Sequence, residues 1–351
     1  MSETGLGMEA ASAGAWRRRT LLGAGAASAA LAFSWSQLGQ VQAAAAAAPT
    51  TGWGQGIRIR FFAGGTAGDA FASIVYNGAQ QAQADLGVAV DYVFSGWDVN
   101  MMTDQLREAI AAQPDGIAMM GHPGDDALLP LAQQASDAHI LMEYQNVDLP
   151  KVRAQFGGGY IGADLTPQGQ ALGTTAVQKF GLKSGDKAIV FGAWGQPGRF
   201  FREEGTAQAL EQAGLQVNRI VSPPEAASDP NLLTPILTAA FLKDPDTKLI
   251  CQAGGQTLSA TPSYMGAIGK GPGEVTNIGF DLSPAIIDAF AGGWVQLTSD
   301  QQPYLQGYLP ILSLVLSKKY GFTSLSYDTG AGFVTPDNYQ PVADLAKAGI
   351  R

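Results

Sequence analysis

Residues that staple, ligate or titrate are scarce in this sequence. There is a single cysteine, Cys251, so no disulfide can form within the chain. It ends the apolar run Leu249-Ile250-Cys251, which reads as a buried strand rather than the setting of a reactive thiol. Two histidines are present, His122 and His139, and no His/Cys/carboxylate grouping has metal-ligand spacing, so no metal site is expected. His139 falls at a helix–strand junction and reads as structural. Positive charge is short: the formal net charge is −9, a balance that repels nucleic acid and anionic membrane. No apolar run of about 20 residues follows residue 50, so no membrane-spanning helix is expected there.

Catalytic signatures are missing as well. Gly64-Gly65-Thr66-Ala67-Gly68 lacks both the G-x-G-x-x-G pattern and a Gly-Lys-Ser/Thr ending, so it reads as a flexible loop that a ligand can approach. Gly157-Gly158-Gly159 reads as a turn. No Gly-x-Ser-x-Gly elbow occurs, and neither an enzyme nor a cofactor is expected. Glu203 and Glu204 read as solvated charges at a helix start.

What the chain does contain begins with its first 48 residues. Arg18-Arg19-Thr20-Leu21-Leu22 matches a twin-arginine export signal, followed by a weakly apolar stretch to Phe33 and an alanine tract at Ala43–Ala48 that offers cleavage sites. Leu21–Phe33 is too short to span a bilayer of about 30 Å. Residues 1–48 are therefore expected to be a signal peptide. No cysteine stands at its end to carry a lipid, and the mature protein is expected in the periplasm. Arg17, Arg18 and Arg19 against Glu3 and Glu9 give the leader +1, which leaves −10 on the remainder. With hydrophobic residues at 46% and charged residues at 15%, that remainder has ample material for a core.

From Ile57 onward short apolar runs alternate with segments of near-3.6 periodicity. Strands are expected at 57–62, 88–94, 116–120 and 140–144, with helices at 70–86, 99–112 and 125–138 between them. After Pro167 the rhythm restarts: helices at 168–180, 199–213, 230–242, near 258, and at 284–291, with strands at 187–192, 216–221, 248–251, 275–280 and 294–298. A helix at 304–319 and a short tail follow. Strand–helix alternation implies parallel sheets covered on both faces, here two doubly wound α/β lobes. Such sheets bind ligands at the carboxyl ends of their strands. The residues there are Asp69, Phe71, Trp97, His122, Gln145, Asn146, Trp194, Arg202, Gln252, Asp281 and Gln301. Carboxylates, amides and a guanidinium suit several hydroxyl groups, and aromatic faces suit the C–H patches of a sugar ring.

Several motifs carry a family resemblance over nearly all of Ile57 to Arg351. They are Phe71-Ala72 through Gly78-Ala79-Gln80, Gly162-Ala163-Asp164, Arg202-Glu203-Glu204-Gly205, Ile278-Gly279-Phe280-Asp281, and Gln301 with Pro303. In order and spacing the chain resembles type I periplasmic substrate-binding proteins of the ribose/galactose class, which serve ABC importers. The resemblance implies a periplasmic binding protein-like I fold with a multi-crossing hinge, the chain passing between lobes near 163–164, 301–302 and 328. The first lobe would be 57–163 plus 302–328, and the second 164–301 plus 329–351. It also implies that Phe71 and Phe280 contact a sugar ring while Asp69, His122, Arg202, Asp281 and Gln301 bind its hydroxyls. Where relatives carry a charged pair, this chain reads Tyr144-Gln145-Asn146, and Trp194 stands where many have a small residue. The ligand is thus expected to be a sugar or polyol that differs from ribose. The function implied is a monomeric, non-enzymatic receptor delivering to ABC permease subunits. The alternative is a sensory receptor for a chemoreceptor or histidine kinase. A DNA-binding repressor of this fold would need a helical domain where the export signal stands.

Overall fold

The structure is a computed structural model that describes residues 52–351, less 196–199, 228, 253 and 331. The expected signal peptide therefore lies outside the described residues.

The first series of elements is β1 (Arg58–Gly64), α1 (Ala70–Leu86), β2 (Ala89–Phe94), α2 (Val99–Ala111), β3 (Gly116–Met120), α3 (Asp125–Asp137), β4 (Leu141–Gln145), α4 (Pro150–Phe156) and β5 (Tyr160–Gly162). The second is α5 (Leu165–Phe180), β6 (Lys187–Gly192), α6 (Phe201–Gln212), β7 (Gln216–Val221), α7 (Leu233–Lys243), β8 (Leu249–Cys251), α8 (Gly255–Ser259), α9 (Thr261–Ala267), β9 (Thr276–Phe280), α10 (Pro284–Ala291) and β10 (Leu297–Asp300). The chain then returns through α11 (Pro303–Tyr320), β11 (Tyr327–Asp328), β12 (Gly332–Val334) and α12 (Gln340–Lys347).

Two six-stranded sheets result, in the orders β11-β5-β4-β3-β1-β2 and β12-β10-β9-β8-β6-β7. Their pairings are parallel except for β10 with β12. Neighbouring residues of β6 show why helices cover both faces: Ala188 and Val190 join one apolar cluster with Leu210 and Phe280, whereas Ile189 and Phe191 join another with Leu237 and Tyr264. Side chains alternate across a strand, so a run apolar at every position needs a cover on each side. In the first lobe Phe61, Phe62, Met119, Met120 and Tyr144 share one core with Leu314 of α11.

Each lobe is tightened by a helix pair that meets through glycine. A Cβ on Gly307 of α11 would lie 1.9 Å from the Val75 carbonyl oxygen of α1, and one on Gly205 of α6 would lie 2.3 Å from that of Thr166 in α5.

Several expectations need correction. The helix expected from 168 begins at Leu165, because Pro167 sits in its first turn, where the main-chain N–H has no helical partner to lose. The helix near 258 is two short ones, broken where Thr261-Pro262 starts α9. The strand expected at 294–298 is shifted to Leu297–Asp300, since Trp294 N donates to Ala289 O and completes the turn after α10. Glu203 is not solvated: it is buried with its stem against Gly192, while Glu204 pairs with Arg219. Short α4, β5, β11 and β12 carry too little periodicity to have been expected, and α12, amphipathic but only eight residues long, lies in what read as a short tail.

Candidate functional site

The rim of the first lobe is built around Asp69, which caps α1. Its Oδ1 accepts from the backbone N–H groups of Phe71 and Ala72 at 2.9 and 2.8 Å. Its Oδ2 accepts from the indole N–H of Trp97 at 2.9 Å. Trp97 follows β2 in the left-handed region, at φ 62°. Its ring lies 5.9 Å from Phe71 and 5.1 Å from His122, centroid to centroid. A Cβ on Gly64 or Gly65 would stand 2.5 or 2.7 Å from that indole. The glycine-rich loop thus admits Trp97 rather than leaving its backbone open to a ligand. Four expected residues, Asp69, Phe71, Trp97 and His122, come together here.

The rim of the second lobe centres on Arg202. Its guanidinium carbon lies 4.6 Å from the centroid of the Phe280 ring, a cation–π arrangement, and Glu203 stands 3.9 Å from its Nε. Asp281 follows β9 at φ 75°. Its Oδ2 accepts from Gly255 N at 3.0 Å and its Oδ1 from the Gln301 amide at 2.5 Å. Burial pushes the Asp281 carboxyl above the usual carboxylate range, against the pull of Arg202 and the hydrogen bonds from Gln301 and Gly255. Gln252, at the end of β8, donates to the Tyr264 hydroxyl at 2.9 Å. Its Oε1 is buried with no hydrogen-bond partner among the described residues.

Between the rims runs a chain of amides. Asn146, after β4, donates to Gln306 Oε1 at 3.0 Å and lies 3.4 Å from Gln301 Oε1. Gln306 in turn donates to Gln301 O at 3.1 Å and Thr329 Oγ1 at 3.0 Å. Gln302 donates to Thr329 O at 2.8 Å, and Asp328 Oδ1 accepts from Asp164 N at 3.2 Å. The Tyr160 hydroxyl lies 3.0 Å from Asn146 O and 2.8 Å from Ala163 O. The segments linking the two sheets are therefore bound to one another by side-chain amides, carboxylate and hydroxyl.

Two expected residues are placed differently. The side-chain N–H of Gln145 donates to Phe62 O at 2.8 Å, while its Oε1 is buried with no hydrogen-bond partner among the described residues. Trp194 turns along the sheet edge: its indole N–H donates to Val190 O at 3.2 Å and its ring lies 5.5 Å from the guanidinium carbon of Arg219. Its ring neighbours are Phe200 and Arg219, and it packs from outside against the apolar cluster that contains Phe280. Sequence reasoning missed Gln306 and Gln256. The first is a buried amide inside an apolar helical stretch, and that pattern was a usable signal. The second stands just beyond the carboxyl end of β8, at the place in an α/β sheet where ligand-facing groups collect.

No helix among the described residues is long and apolar enough to cross a membrane. Residues 61–318 match the family described as periplasmic binding protein domain. The chain is 27% identical over 260 residues to the xylose/arabinose-binding protein of Sulfolobus acidocaldarius, a match covering 70% of this chain and 62% of that relative's length. In fold it is similar to a carbohydrate transporter protein of Acidothermus cellulolyticus solved with myo-inositol, at a TM-score of 0.72 and 24% identity, covering 84% of this chain and 99% of the other. It is also similar to an ABC transporter solute-binding protein of Burkholderia graminis solved with D-arabinose, at 0.72 and 20% identity, covering 82% and 98%.

Proposed function

Because this chain belongs to the periplasmic binding protein domain family, we propose that it is an extracytoplasmic receptor. It captures a neutral sugar or polyol between its lobes and delivers it to an ABC permease, acting as a monomer. The lobes run over 57–163 with 302–328 and over 164–301 with 329–351, a division supported by sheet membership and by the bonded crossings. Arg18 and Arg19 send it out by the twin-arginine route; the double lysine variant is expected to accumulate as cytoplasmic precursor.

One observation carries the ligand class. Arg202 is stacked on the fully buried Phe280 beside the buried Asp281, so rigid donors held by a core ring meet an acceptor at one place. A guanidinium reads neighbouring hydroxyls in a fork and a carboxylate accepts from them, while the partly exposed Trp97 of the first lobe supplies a ring for sugar C–H groups. The buried Oε1 of Gln252 adds an acceptor. One relative named for xylose and arabinose, and a similar fold solved with myo-inositol, support a pentose or a cyclitol. The test is thermal melting of the chain lacking residues 1–48 against pentoses, hexoses and cyclitols. At 100 times its dissociation constant a true ligand adds about 2.7 kcal/mol of stability, a rise of several degrees. A panel that leaves the melting temperature unmoved overturns the reading.

A further inference from the structure

We infer that Asp69 and Gln256 form a latch between the lobes, in which Asp69 is a positioning residue for Trp97 and a receiver for Gln256 rather than a group that binds ligand. An ionised carboxylate offers about four acceptor positions. Asp69 fills them from the chain itself: Phe71 N and Ala72 N on Oδ1, then Trp97 Nε1 at 2.9 Å and Gln256 Nε2 at 3.2 Å on Oδ2. Three of these donors belong to the first lobe. The fourth comes from α8 in the second, so it alone is made or broken by lobe movement.

α8 is well placed for this. Its first residue, Gly255, donates its N–H to Asp281, and Asp281 is held by Gln301, which Gln306 and Asn146 reach from the first lobe. Hydrogen bonds thus run from the hinge through Asp281 to the base of α8, and the next side chain along, Gln256, returns to the first lobe at the lip. Asp69 is also the sole acceptor among these contacts that fixes the Trp97 indole N–H, so closing the latch and orienting the aromatic wall use one oxygen. The receptor reading gives this closure its purpose. The geometry of the latch does not require a particular sugar.

The test needs no sugar, which separates it from the melting screen. Dyes on the two lobes report the ratio of closed to open molecules for the parent, Gln256→Leu and Gln256→Glu. At pH 7.5 that ratio is expected to fall about tenfold in Gln256→Leu, and further in Gln256→Glu, whose carboxylate faces Asp69. Near pH 4 the introduced carboxyl group takes up a proton and can donate again, so Gln256→Glu is expected to close more than Gln256→Leu, a reversal that lost packing would not produce. His122, close to Trp97, is a further titratable group on this wall, and Arg202, beside Gln256 at Gly254, stays charged throughout; the parent followed over the same pH range accounts for the first, and the comparison of Gln256→Glu with itself at the two pH values for the second. Equal ratios in all three proteins at pH 7.5 overturn the latch, and so does a parent with no closed molecules.

Discussion

The first sheet runs β11-β5-β4-β3-β1-β2 and the second β12-β10-β9-β8-β6-β7, the same layout apart from the direction of the last pairing. At the carboxyl ends the likeness stops. The first lobe sets rings there, Phe71, Trp97 and His122, around a carboxylate whose oxygens are already taken. The second sets charge, Arg202 over Phe280 with Asp281 beside it. A shared scaffold therefore divides the labour: one lobe supplies shape and the other directional polarity. It also fits the proposal that a chain without a charged pair after β4 holds a polyol, since the charge has been left to the opposite lobe.

The difference extends beneath the sheets. Glu143 of β4 is fully buried, and β9 in the second sheet has no ionisable residue. Glu143 accepts from Gly159 N at 3.1 Å, and from the hydroxyls of Ser313 and Ser324. Ser313 Oγ accepts from Leu325 N at 2.9 Å, so this acid fastens the segment after α11 to the first lobe. Burial pushes its carboxyl up to about 7 from 4.5, against those hydrogen bonds and Arg153. The folded protein thus holds the proton more tightly than the unfolded chain. The resulting stability is complete below about pH 4.5 and is lost as pH rises through about 7, roughly 3 kcal/mol in all. Urea unfolding of the parent and Glu143→Gln between pH 4.5 and 8 checks this. The difference between the two curves should change by about that amount, and parallel curves would show that the asymmetry between the lobes has no energetic weight.

The polar rim can be broken in two ways. Arg202→Ala should weaken the sugar found in the melting screen ten- to a hundredfold, about 1.4–2.7 kcal/mol, and lower the melting temperature, because the buried Glu203 and the Phe280 ring lose the guanidinium. Asp281→Ala should weaken it similarly and also lower the melting temperature, because Gly255 N–H and the Gln301 amide would be left buried without acceptors, at about 1–3 kcal/mol. Calorimetry paired with melting curves separates lost binding from lost stability in each variant. Affinity unchanged in both variants would remove the second lobe from recognition.

Much of the fold was legible because both sheets are parallel but for the β10–β12 pairing. Strands such as Gly116–Met120 and Lys187–Gly192 are apolar at nearly every position, and the helices between them carry the 3.6-residue period. Elements whose residues are held from outside were not legible. Strand β11 has two exposed residues and exists because Tyr327 and Asp328 pair with Ile161 and Gly162. At the site, sequence identified the residue types after each strand but not the direction in which each side chain leaves. Gln145 and Trp194 stand at or just after strand ends, as Asn146 does, yet turn to main chain and to the sheet edge. A lone sequence carries no record of such choices among hydrogen-bond partners. Saturation of Asp69 is equally hidden, since two of its four donors come from residues distant in the chain.

The aromatic rim should give the smallest effect and the sharpest one. Trp97→Phe keeps a ring against Phe71 and His122 but removes the N–H that Asp69 accepts. The loss is expected to be about 1 kcal/mol, near fivefold in affinity. Combined with Gln256→Leu it becomes a test of the shared oxygen. Both donors use Asp69 Oδ2, so removing one alters what the other contributes, and groups on one acceptor are expected to couple by about 0.5 kcal/mol or more. Trp97→Phe paired with Arg202→Ala has no common partner and should be additive. Binding measured for both double variants decides the matter: coupling in the first pair with additivity in the second keeps shape and polarity as separate contributions of the two lobes, whereas the reverse pattern would join Trp97 to the polar rim.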